Sequence, residues 1–151
     1  MVHALEKIHG LIQAGGVLLD IHPTPEPPRL EVRLGKRTIL AGWLKETDDY
    51  VEYEDADAAL TGVIGRGLFA VERQGRFAFL TYADSFAELR EYLADEWKDA
   101  VIDDLTAARI EDLLSAPERD KEVILRESIQ IARMKPVGKA ELGKMKLSSS
   151  R

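Results

Sequence analysis

Apolar positions along the first dozen residues recur at three- and four-residue spacing. Ala4, Leu5, Ile8, Leu11 and Ile12 share one face, which predicts a helix. Gly15-Gly16 is expected to stop it, because glycine enters the left-handed region without steric penalty. Val17-Leu18-Leu19-Asp20-Ile21 follows directly, and a short apolar run of this kind suits a strand covered on both faces. After a loop with Pro23, Pro25, Pro27 and Pro28, Leu30 to Leu34 alternates as a half-exposed strand. Gly35-Lys36 turns the chain and Arg37 to Leu44 returns.

The stretch from Lys45 to Asp57 changes character. Seven carboxylates (Glu46, Asp48, Asp49, Glu52, Glu54, Asp55, Asp57) stand against Lys45. Tyr50, Val51 and Tyr53 lie among them, as in a strand with an acidic outer face. Asp55 or Asp57 then caps a helix to about Leu68, with Leu60, Val63, Ile64 and Leu68 inward. Phe69 to Arg73 and Arg76 to Tyr82 read as a hairpin around Gln74-Gly75. Ser85-Phe86-Ala87-Glu88 is a capping box that opens a helix with Phe86, Leu89, Leu93 and Trp97 inward. Another helix runs from about Leu105 to Ser115, ended by Pro117. Val123, Leu125, Ile129 and Ile131 alternate along a long last strand. One α/β domain over residues 1–136 is expected, followed by a flexible basic tail, 137–151, with Lys139, Lys144, Lys146, Arg151 and Ser148 to Ser150.

Composition narrows the function classes. A chain of 151 residues can bury a real core. A formal net charge of −6 disfavours nucleic acid or an anionic membrane as partner. The sequence has no cysteine, which removes disulfides, thiolate nucleophiles, zinc–thiolate sites and iron–sulfur clusters. No run approaches the ~18 apolar residues of a membrane span, and the start has no signal-peptide layout, so a cytoplasmic location is expected.

The opening stretch, Ala4 to Leu19, resembles one piece of the class I methyltransferases that use S-adenosylmethionine. In that family a helix ending in a double glycine leads into the fifth strand of the sheet. Gly15-Gly16 and Val17 to Ile21 match the glycines and the strand, and Leu11-Ile12 the apolar pair before them. Ala14 stands where the family usually has proline. The element order is also similar: Phe77 to Tyr82 would be the sixth strand, and Val123 to Met134 the seventh, inserted antiparallel beside the fifth. The resemblance implies a partial Rossmann-like methyltransferase sheet, mixed and with antiparallel hairpins, packed with helices. The family's glycine-rich loop after the first strand and acidic residue after the second have no counterpart in these 151 residues. Gly62, Gly65 and Gly67 form a cluster, but in or at the end of a helical pattern. The resemblance therefore implies no cofactor bound by this chain alone, and S-adenosylmethionine only if another segment completes the site. It also leaves strand 17–21 as an open apolar edge, which predicts a homodimer or a partner chain docked there.

Candidate chemistry is sparse. His22 lies just past the carboxyl end of the first strand, where open α/β sheets place their ligands, and suits a general base or hydrogen-bond partner. Asp20, two residues back on the same strand, is placed to orient it. A loop histidine beside a proline is the plainer reading. His3 and His9 are six apart, which is not the spacing of a helical metal pair, and no metal site is expected. The acidic stretch lacks the glycine and spacing of a calcium loop. Ser85 is a cap before it is a nucleophile, and Trp43 and Trp97 are core or interface aromatics. The expected function is a methyltransferase-like protein that is not catalytic alone. Two alternatives are a small α+β ligand-binding or isomerase-like module with a cone-shaped sheet, and a non-enzymatic interaction subunit.

Overall fold

The structure is a computed structural model that describes residues 1–47 and 50–138. The proposed basic tail from Lys139 onward, and Asp48 and Asp49, lie outside the described residues. The fold is mixed α/β, with four helices among the described residues: α1 (Val2–Leu11), α2 (Val51–Gly65), α3 (Phe86–Glu96) and α4 (Asp104–Leu114). The strands are β1 (Leu18–Pro23), β2 (Arg29–Leu34), β3 (Arg37–Trp43), β4 (Lys45–Glu46), β5 (Phe69–Ala83), β6 (Ala100–Val101) and β7 (Lys121–Pro136). None of these helices is long and apolar enough to cross a membrane.

The chain divides into two compact units. One is drawn from Met1–His22, Glu52–Phe77 and the chain from Gln130; the other comprises Pro23–Val51 and Ala78–Ile129. In the second unit β2 is flanked by β3 and β7, both antiparallel. Val32 sits opposite Ile39 on one side and Val123 on the other. Gly35, at φ +58°, makes the expected hairpin turn. Leu30, Val32, Leu125, Leu89 and Ile110 are buried together, so α3 and α4 close over this sheet. Expected to be half-exposed, β2 is instead mostly buried. Even Glu31 is 8% exposed, held by both carboxylate oxygens at 3.0 and 3.1 Å from Arg126 Nε. Charge pairing lets a polar position face inward without an unanswered carboxylate. Gly42 permits the close approach of α4, since a Cβ there would lie 2.3 Å from Thr106 Oγ1.

The start of α3 is capped by Ser85, as the sequence suggests. Ser85 Oγ accepts from the Glu88 amide at 3.2 Å, and Glu88 accepts in return from the Asp84 amide at 2.7 Å. The second bond falls one residue earlier than a standard capping box. Asp103 caps α4, and the Thr106 amide, with Lys45 beside it, holds its carboxyl down to about 2. Glu127 on β7 behaves oppositely. Partial burial, then the charge of Glu46, pushes its carboxyl above the ordinary glutamate value. The folded state therefore holds this proton more tightly than the unfolded chain, and stability falls as pH rises through that window. Glu127→Gln is expected to raise the urea midpoint at neutral pH. The gain should shrink as the pH is lowered through the ordinary glutamate range, where both states are protonated; a pH-independent gain would contradict this assignment.

The first unit gathers α1, α2, β1 and parts of β5 and β7. Leu5, Leu60, Val63, Phe69 and Met134 are buried together, with Ile8, Ile12, Ile64 and Leu68 against them. β1 and β5 each pair with β7. Five expectations are corrected here. α1 ends at Leu11, with Ile12 already extended, so Gly15 (φ +82°) turns the chain after the helix rather than stopping it. Leu11 faces solvent at 80% exposure. β1 is not covered on both faces: Leu19 and Ile21 are each 58% exposed.

The acidic stretch from Val51 is the body of α2, not a strand. Glu52 and Glu54 fall in its first turn, where carboxylates face the positive end of the helix dipole. Finally, residues 69–82 form no hairpin. β5 runs unbroken through Gln74-Gly75, and Gly75 does not take the positive φ that a tight two-residue turn needs. The sixteen-residue β7 supplies a partner long enough to keep β5 extended.

Candidate functional site

Asp20 and His22 share a face of β1, as positions i and i+2 of a strand must. Their side chains meet: His22 Nδ1 lies 2.7 Å from Asp20 Oδ2. The other ring nitrogen, Nε2, lies 2.9 Å from Asp57 Oδ1, presented by α2. Gln130 of β7 donates to the same Asp57 oxygen at 3.4 Å. The imidazole is nearly enclosed, at 12% side-chain exposure, while Asp20 is at 20% and Asp57 at 40%.

This geometry decides what His22 can do. Ionised carboxylates only accept hydrogen bonds. Each ring nitrogen of His22 faces a carboxylate oxygen, so neither is left open to a further partner. The histidine read as a possible general base is therefore a strap between β1 and α2. Asp20 contacts one ring nitrogen and Asp57 occupies the other. Asp57 had only the look of a helix cap, and nothing local in the sequence links it to His22. The same holds for Gln130.

The remaining candidates disperse. His3 lies on the surface beside Glu6, at 3.4 Å. His9 Nε2 reaches the Val137 carbonyl at 3.2 Å, and its ring stands edge-on to Phe69. Ser85 is occupied by its cap. Trp97 donates to the buried Glu46 at 2.6 Å, and Trp43 is half exposed. Among the described residues no group of three histidine or acidic side chains could hold a metal ion. An open cleft of about 430 Å³ in the second unit has Leu93, Trp97 and Ile102 in its walls, with Arg90 and Lys98 beside them. Its lining holds no carboxylate, histidine or hydroxyl side chain; Lys98 is the one lining side chain able to act as base or nucleophile.

Among the described residues the glycines at positive φ are Gly15, before β1; Gly35, inside the β2–β3 turn; and Gly67, before β5. None follows a strand to open a helix. No protein-family model matches the chain, and comparisons with characterised proteins and with solved structures find no match either.

Proposed function

We propose that this chain is a methyltransferase-like module that transfers no methyl group by itself and receives a further chain segment along β1. The observation that carries the reading is the place of β1. Its one strand neighbour among the described residues is β7. The methyltransferase family likewise sets its seventh strand beside its fifth, the strands that β7 and β1 resemble. The other edge of β1 is open, and the bare Leu19 and Ile21 beside it give an incoming segment apolar surface to cover. The strap on His22 supports the non-catalytic part of the reading, since it leaves no free imidazole nitrogen at the end of that strand.

A ligand-binding module with a cone-shaped sheet draws support from the antiparallel β3–β2–β7 ladder. However, the 430 Å³ cleft is lined by α3, β6 and their flanks rather than by a concave sheet face. Calorimetry with S-adenosylmethionine tests the first reading. This chain alone is expected to give no saturable heat; stoichiometric binding would overturn the proposal.

A further inference from the structure

β5 carries a second open edge, and its side chains are arranged to match a copy of themselves. The strand pairs with β7 and with no other strand among the described residues. Every residue from Ala70 to Phe79 is exposed, including Val71 at 39% and Phe77 at 45%. A long, bare, partly apolar edge is ordinarily blunted by charge, proline or a bulge. Here the charges do not simply repel: Glu72, Arg73 and Arg76 are the only ionisable groups but the tyrosine along the strand.

Two-fold symmetry restricts how such a strand pairs with itself. In an antiparallel ladder, hydrogen-bonded and non-hydrogen-bonded pairs alternate. A two-fold axis must map each pair onto one of its own kind, so opposed residue numbers add up to an even constant. Registers centred on Arg73 or Arg76 set an arginine against its own copy. The register centred on Gln74 sets Glu72 against Arg76 twice, Val71 against Phe77 twice, Arg73 against Gly75, and Gln74 against itself. Among the even registers, no other opposes Glu72 with a cation. Opposite charges and apolar pairs directly across a ladder each stabilise it, and like charges oppose it. Glu72 already draws Arg133 and Lys135 of its own β7, so it sits in a cationic surround that the copy's Arg76 would extend.

We infer that β5 is a homodimerisation strand, pairing antiparallel with a second copy of this chain about a two-fold axis at Gln74. This rests on no part of the methyltransferase-like reading, which concerns β1. Sedimentation of the full chain at micromolar concentration tests it with four proteins: wild type, Glu72→Arg, Arg76→Glu and the double reversal. The wild type is expected to be dimeric. Each single reversal should weaken association roughly tenfold or more, because symmetry applies the like-charge pair twice, and the double reversal should restore it.

A cysteine test needs no charge change. The chain has no native cysteine. Residues directly opposite have Cα atoms about 5 Å apart, within disulfide reach. Gln74→Cys should therefore oxidise to a covalent dimer. Val71→Cys should not, because its two copies would lie about 20 Å apart along the strands. A monomeric wild type with no Gln74→Cys crosslink, a dimer indifferent to both single reversals, or equal crosslinking at 71 and 74 would each overturn the inference.

Discussion

Phe69→Ala is expected to lower the unfolding free energy by about 3–5 kcal/mol. Phe69 opens β5 and is 1% exposed, packed among Leu5, Leu60, Val63 and Met134. Its ring also meets His9 edge-on, with centroids 5.3 Å apart. Truncation removes the transfer free energy of the ring and leaves a cavity that separate chain segments would have to collapse to fill. Because a domain of this size is stable by only about 5–15 kcal/mol, the loss takes a large share of the total. Urea denaturation by circular dichroism measures it. A loss near 1 kcal/mol would mean that Phe69 is not at the centre of the first unit's core.

His22→Ala is expected to cost about 2 kcal/mol. The variant loses both hydrogen bonds of the strap and leaves Asp20, mostly enclosed, facing Asp57 without a donor between them. Charge-assisted bonds in a shielded place are each worth about 1.5–3 kcal/mol. The partial exposure of Asp57 discounts its share through solvent screening. Read as a free loop histidine, the same residue would change stability by no more than about 0.5 kcal/mol. The two accounts are therefore separated by well over experimental error.

Local patterns made most elements legible. The periodicity of Phe86, Leu89 and Leu93, with its Ser85 cap, placed α3 nearly to the residue. Alternation around Gly35 placed β2 and β3. The failures share a cause: the deciding partner lay far along the chain. Gln74-Gly75 looks like a turn until a β7 strand of equal reach holds it extended. Tyr50, Val51 and Tyr53 suit a strand, yet their carboxylate neighbours suit the first turns of a helix whose inner face, Leu60 and Val63, is set by the core. The short β4–β6 pair joins Lys45–Glu46 to Ala100–Val101, segments far apart in the chain that carry no strand pattern of their own.

The candidate site was half legible for the same reason. Asp20 and His22 are neighbours on one strand face, so their contact could be anticipated from a period of two. Asp57 stands 35 positions away in a segment rich in similar acids, and only the fold selects it. Its selection changes the reading, because Asp57 occupies the ring nitrogen that Asp20 leaves open.

A double-mutant cycle shows directly whether His22 straps β1 to α2 through Asp57. Unfolding free energies would be measured for wild type, His22→Ala, Asp57→Ala and the double variant. Any gain in helix propensity from alanine at position 57 cancels in the cycle. A coupling of about 1–2 kcal/mol between the two positions is expected. Additive effects, with the double variant equal to the sum of the single changes, would show that Asp57 does not hold the ring and would return His22 to the list of possible bases.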